Sequence, residues 1–222
     1  MPYKPLCDGS SPSSPTWSIG HQKRYQHCDC DDPKSHLRPP GDGSFQERDE
    51  RLELSDLKNE VLHIFETDVN GLGDALLQCC LSEDYAKMDA FVHLVDGDLT
   101  RDHLQHIYQY YLADRQQAKQ DFTPICLARL ISSLIGDADV VVDLCAGSGA
   151  LTIQRWVQSP QQIFHLYELD ESVIPYLLFN LVVRNITAMV YRSDVLHCET
   201  YDVWAVQRGD RYGHITCVQS SV

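Results

Sequence analysis

The sequence predicts an α/β fold: a parallel sheet of about four strands, preceded by a small helical region and a disordered N-terminal segment. Three observations predict it. Val140-Val-Val-Asp-Leu-Cys-Ala-Gly-Ser-Gly-Ala150 is a β-branched run that ends in an acid, then a Gly-Ser-Gly turn, then an amphipathic stretch. That is a strand, a tight turn and a helix start, the layout by which open α/β sheets bring backbone close to a nucleotide-type ligand. From there to Val206, extended and amphipathic segments alternate, which is the pattern of a parallel sheet whose crossovers are helices. Helical apolar spacing begins only at Glu47.

Residues 1–46 are rich in Pro, Ser, Gly and Asp with no apolar period, and Ser10-Ser-Pro-Ser-Ser-Pro15 and Pro39-Pro-Gly-Asp-Gly43 are loop signals. Residues 47–120 form the helical region. Leu52, Leu54, Leu57, Val61, Leu62, Ile64 and Phe65 have helical spacing, and Leu72 to Leu81 and Asp84 to Leu94 are two shorter helices. His103 to Gln120 is a longer one, with Leu104, Ile107, Tyr108, Tyr111 and Leu112 on one face.

Residues 121–222 carry the sheet. Thr123 is a good N-cap and Pro124 a good first residue for a helix running to about Ile135. Strands are expected at Val140 to Leu144, Ile163 to Tyr167, Ala188 to Tyr191 and Tyr201 to Val206. The intervening helices span about Ala150 to Gln158 and Glu171 to Arg184. Gln207 to His214 reads as a turn between two short extended pieces.

Composition bounds the partners. The 222 residues carry a net charge of −14, and no third of the chain is net basic. Duplex binding rests on neutralising phosphates, so a nucleic-acid substrate needs a basic partner to hold it. No run approaches a membrane span and Met-Pro-Tyr-Lys-Pro is no signal segment, so a cytoplasmic protein without a membrane partner is expected. Cys79, Cys80, Cys126 and Cys145 lie within apolar patterns and read as buried free thiols. His27-Cys28-Asp29-Cys30 with His36 lacks paired Cys-x-x-Cys units, so no metal is expected. Tyr108, Tyr110 and Tyr111 read as core packing before base stacking, and Arg208 and Arg211 as a solvated turn.

The site residues follow from the strand ends. Gly147 and Gly149 permit positive φ or a close approach of backbone. Asp143 ends the first strand, where ligands bind in such sheets. A dinucleotide fingerprint would place Gly or Ala where this chain has Thr152, which argues against that fold. Glu168 follows the second strand, 21 residues beyond Gly147, where an acid hydrogen-bonds ribose hydroxyls. Asp194 follows the third strand, where a carboxylate accepts from an adenine amino group.

Asp143-Leu-Cys-Ala-Gly-Ser-Gly-Ala150, Tyr167-Glu-Leu-Asp170 and Ser193-Asp-Val195 resemble, in order and spacing, the motifs of class I S-adenosylmethionine-dependent methyltransferases. Asp121-Phe-Thr-Pro124 resembles the Phe-Thr-Pro segment of adenine-N6 DNA methylases, especially type I modification subunits. The likeness covers about residues 119–206 and implies a partial Rossmann-like methyltransferase sheet that binds S-adenosylmethionine. It implies that Phe122 and Thr123 flank the methionine portion and that Asp143, Ala146 and Gly147, with Gly149 in the turn, hold its amino and carboxylate ends. Glu168 would take the ribose, Leu169 would pack on adenine, and Asp194 would accept from its amino group. An acid beside the N–H groups of a helix start suits a zwitterion.

The family's adenine methylases also carry Asn/Asp-Pro-Pro-Tyr/Phe after the fourth strand, to hold the flipped base. That tetrapeptide does not occur in the sequence; Pro39-Pro40 follow Arg38. Few residues follow Val206, so a truncated sheet is expected: a cofactor-binding remnant, or half of a split active site. Three readings stay open. The first is a cofactor-binding domain associated with DNA methylation and restriction-modification, served by a second methylase or specificity subunit. The second is a non-catalytic regulatory or scaffolding relative, and the third a methyltransferase with a non-DNA acceptor.

Overall fold

The computed structural model describes residues 53–112 and 123–219. The 1–46 segment with its His/Cys group, the expected helix beyond Leu112, and Phe122 lie outside the described residues.

Four helices come first: α1 (Leu54–Phe65), α2 (Leu72–Leu81), α3 (Tyr85–Leu94) and α4 (His103–Tyr111). Local chemistry sets their ends. Glu66 stops α1 in the left-handed region at φ 55°. The Asp84 side chain accepts from the Lys87 N–H to start α3, and Asp102 accepts from the Leu104 and Gln105 N–H groups to start α4. On α4, Leu104, Ile107 and Tyr108 are buried, whereas Tyr110 is 71% exposed.

The second part runs α5 (Ile125–Leu134), β1 (Val140–Asp143), α6 (Ala150–Gln158), β2 (Ile163–Glu168), α7 (Ile174–Val183), β3 (Ala188–Asp194), β4 (Glu199–Gln207) and β5 (His214–Gln219). Pro124, not Thr123, occupies the N-cap of α5, and no side chain caps that helix. The strands form one sheet in the order β1-β2-β3-β4-β5. β1, β2 and β3 pair in parallel, whereas β3–β4 and β4–β5 pair antiparallel.

The sheet therefore has five strands rather than about four and is mixed rather than parallel. The physical reason is length. Only Val195 to Cys198 separate β3 from β4, and a parallel crossover needs about a dozen residues. The extended pieces flanking Gln207 to His214 are β4 and β5 themselves.

Among the described residues, α7 is the helix most completely buried. Every residue from Ile174 to Val183 except Pro175 is buried. Phe179 meets Phe65 of α1 and Phe91 of α3 edge-on, with ring centroids 5.4 and 5.1 Å apart. One cluster joins these residues to Phe164 and Leu166 of β2 and to Val190 of β3. Burying each such side chain is worth about 2–3 kcal/mol. Side chains on the opposite sheet face meet more water, with Val140, Val142 and Ile163 at 45, 57 and 41% exposure. Tyr167 and Tyr191 stack across β2 and β3 on that face, centroids 4.5 Å apart.

Two of the cysteine readings need correction. Cys79 and Cys80 are buried free thiols, but Cys126 is half-buried and Cys145 is exposed, because it lies in the turn beyond β1 rather than in an apolar element. Arg208 and Arg211 are exposed in the β4–β5 turn, and Arg208 also donates to the carbonyls of Asn185 and Pro160 and to Gln161. Arg211 pairs with Asp89 of α3 at 2.6 Å. Both hold the β4–β5 turn against neighbouring elements.

Candidate functional site

β1 ends at Asp143, and the chain turns back on itself through Gly147 and Gly149, whose φ angles are +53° and +101°. A side chain at Gly149 would also be crowded: a Cβ there lies 3.0 Å from Leu177 Cδ1 of α7. The turn is pinned from both sides. The Ala146 N–H donates to the Tyr167 carbonyl of β2, and the Gly149 N–H to the Ala146 carbonyl, each at 2.9 Å. The Ile153 N–H then donates to the Gly149 carbonyl at 2.8 Å and α6 is under way.

Asp143 is satisfied on one side only. Its Oδ1 accepts from the Cys145 N–H at 3.1 Å, while its Oδ2 is buried and has no hydrogen-bond partner among the described residues. Burial pushes the Asp143 carboxyl above the ordinary carboxylate range, opposed by the Cys145 N–H. A carboxylate oxygen in that state is stabilised by any donor that reaches it, and most by a cation.

Glu168 ends β2 and faces the same turn. Its Oε2 accepts from the Gly147 N–H at 2.8 Å and its Oε1 from the Asp170 N–H at 2.9 Å. Each oxygen keeps acceptor capacity for a hydroxyl. Leu169 is 54% exposed beside it, an apolar surface open to a flat ring. Asp170 continues the chain of bonds, accepting from the Ser172 N–H and from the Tyr108 hydroxyl of α4.

Asp194 is the last residue of β3 rather than a loop residue beyond it. Its Oδ1 accepts from the Leu196 and His197 N–H groups, and its Oδ2 pairs with the His197 ring at 2.7 Å. The His197 ring and N–H hold the Asp194 carboxyl below its ordinary range, and Asp194 raises the imidazole pKa. The structure thus puts Asp143, Ala146, Gly147, Gly149, Glu168, Leu169 and Asp194 at the carboxyl ends of three parallel strands. It joins Gly147 directly to Glu168. Thr123 is half-buried just before α5.

Such an arrangement has chemical consequences. One buried carboxylate oxygen seeks a donor. A glycine turn leads into a helix whose first N–H groups have no partner within it. A second acid, an exposed leucine and a third acid follow in order along the strand ends. The set suits a zwitterion attached to a nucleoside.

Comparison with known families decides the lineage. Residues 99–207 match the family described as N-6 DNA Methylase. Over that segment, the chain belongs to the N-6 DNA methylase family. No curated protein and no solved structure matches. The matched segment opens at Leu99, whose carbonyl accepts from Arg184 at the end of α7, and closes at Gln207, the last residue of β4. It is a DNA methyltransferase-like domain containing every described site residue named above.

Sequence reasoning missed one part of this candidate site: the polar groups behind the turn. Asn180 of α7 donates to the Ser148 carbonyl and to Asp102, and Arg184 holds Asn180. The available signal was an amide within an apolar helix and a guanidinium four residues on, at the position that ends it. Among the described residues, no group of three or more His, Cys, Asp or Glu is placed to hold a metal ion, and no helix is long and apolar enough to cross a membrane.

Proposed function

We propose that this chain binds S-adenosylmethionine at the carboxyl ends of β1, β2 and β3, and serves DNA adenine methylation within a restriction-modification system. The observation that carries the reading is the buried, unpartnered Oδ2 of Asp143 beside the Gly147–Gly149 turn. An ammonium group supplies the donor this oxygen lacks, and the N–H groups at the start of α6 suit the carboxylate of the same amino acid. Glu168 accepts from ribose hydroxyls while keeping its bonds to the Gly147 and Asp170 N–H groups. Leu169 packs on adenine and Asp194 accepts from its amino group. Thr123, ahead of α5, and Phe122 flank the methionine chain. When bound, the cofactor supplies a methyl group activated on a sulfonium; the residues named here hold and orient it.

The methyl acceptor lies with a second chain in this reading. The net charge of −14 disfavours duplex DNA on this chain alone, so a basic methylase or specificity subunit supplies the phosphate contacts and the base-holding segment. The buried free thiols Cys79 and Cys80 suit a reducing, cytoplasmic setting.

Calorimetry with S-adenosylmethionine and its demethylated product tests the site. Binding that weakens in Asp143→Asn is the expected result, and absence of heat at millimolar ligand would overturn the reading. Methyl transfer to mixed DNA tests the division of labour. The chain alone is expected to transfer none at a useful rate. Robust adenine methylation by the purified chain, lost in Asp143→Ala, would refute the need for a second chain.

A further inference from the structure

Asn180 of α7 and Arg184, the residue that caps the end of that helix, lie one turn apart and are 1% and 3% exposed. Both amide hydrogens of Asn180 are used. Its Nδ2 donates to the Ser148 carbonyl and to Asp102 Oδ1, each at 2.9 Å. Its Oδ1 accepts from Arg184 at 2.8 Å. Turned over, the amide would set its oxygen against two acceptors and its NH2 against a guanidinium, so only one orientation is allowed. Arg184 is fixed in the same way, donating to the carbonyls of Leu99, Arg101 and Asn180 at 2.8, 2.6 and 2.9 Å.

The partner that matters is Ser148. It stands between Gly147 and Gly149, both at positive φ, and is itself 1% exposed. Its peptide link to Gly149 is held at both ends, the carbonyl by Asn180 and the N–H by the Ala146 carbonyl. Without Asn180, the Ser148 carbonyl would be buried with its acceptor unmet. Rotation of that peptide, about Ser148 ψ and Gly149 φ, is the low-cost escape, because Gly149 tolerates almost any φ. Such a rotation re-aims the amides of the turn.

We propose that Asn180, anchored by Arg184, is a positioning residue that fixes the Ser148–Gly149 peptide plane and thereby aims the Gly147–Gly149 amides. Its effect on affinity rests on the ligand reading given above; its effect on the turn does not.

The experiment uses the full chain and three variants: Asn180→Leu, Asn180→Asp and Ile186→Ala. Ile186 is fully buried beyond the far end of α7 and reports plain loss of packing. Two quantities are read: the amide resonances and hydrogen exchange of Gly147 and Gly149 without ligand, and the affinity for S-adenosylhomocysteine. Asn180→Leu is expected to shift both glycine amides, speed their exchange and weaken binding by about tenfold, the scale of one lost buried hydrogen bond. Ile186→Ala, compared at equal fractional stability, is expected to leave both unchanged. Asn180→Asp has the native shape and regains a donor when protonated, so its glycine amides should return toward wild-type positions as pH falls.

Wild-type-like glycine amides in both Asn180 variants would overturn the proposal, as would Ile186→Ala reproducing their changes. If Asn180→Leu does not fold, the pH response of Asn180→Asp decides. If the wild-type chain gives no heat with S-adenosylhomocysteine, the ligand reading fails alone, and the amide measurements still decide the role of Asn180.

Discussion

The Gly147 N–H donates to Glu168 Oε2 at 2.8 Å, so the acid at the end of β2 closes the turn at the end of β1. The bond ties together the two elements of the site that its proposed ligand would bridge. Glu168→Ala removes this bond, the bond to the Asp170 N–H and the proposed ribose acceptor. Affinity for S-adenosylhomocysteine is expected to fall by about 1–3 kcal/mol, the scale for hydrogen bonds to a charged group. Glu168→Gln keeps an acceptor and should lose less. Titration calorimetry on both variants checks the order.

Asp143 gives a stability prediction of defined sign. Its folded-state pKa is raised by burial, so its favourable contribution is complete below the unfolded pKa and disappears as pH rises through the folded value. At neutral pH the buried charge opposes folding. Asp143→Asn is therefore expected to raise the melting temperature of the ligand-free chain at pH 7, with the gap closing in acid. Melting curves from pH 3 to 8 check this, and a variant less stable at pH 7 would refute it.

Asp194 and His197 define a pH window for the third acid. The Asp194 pKa is lowered, so its contribution is lost as pH falls through that value. The His197 pKa is raised, so its contribution is lost as pH rises through it. Between these limits the imidazolium occupies Asp194 Oδ2 and competes with the adenine amino group that Asp194 is proposed to accept from. Affinity should improve as pH rises through the His197 titration, and His197→Ala should flatten that dependence. Calorimetry across the range, with the His197 titration followed by NMR, provides the check.

Gly149→Ala should be costly without touching a ligand atom. It forces φ +101° on an L-residue and brings its Cβ to 3.0 Å from Leu177. A loss of about 1–3 kcal/mol in urea unfolding is expected.

Arg155 closes α5 from α6. It donates to the carbonyls of Ser132, Ile135 and Gly136 and to Gln162, and is 5% exposed. Arg155→Met fills similar space but leaves those acceptors without a donor. About 3 kcal/mol of stability should be lost on chemical denaturation.

The segment from Val140 to Tyr191 could be read from the chain because its β-branched runs and amphipathic helices alternate, and the acids at strand ends fall where open sheets hold ligands. Periodicity marks a strand but carries no direction, so β4 was expected to run parallel. The four residues from Val195 to Cys198 were the overlooked signal, since only a hairpin spans so short a gap. Spacing also placed Glu168 opposite Gly147 but gave no hint that Glu168 bonds to it. Asn180 and Arg184 escaped notice because a helix pattern scores apolar positions, and their partners Asp102, Ser148 and Leu99 lie far away in sequence. Cys145 was misplaced for a related reason: the apolar run of β1 ends at Asp143, and the thiol belongs to the turn.

The burial of α7 separates two boundaries that are easily confused. Family likeness occupies residues 99–207, yet Phe65, Leu76, Met88 and Phe91, which build the core around Phe179, come from before that segment. Lineage and cooperativity therefore have different limits in this chain. A fragment cut to the family segment would expose the apolar side of α7, the helix that backs the glycine turn. The helices α1 to α3, which precede the matched segment, share one core with it, and the two should melt in one transition.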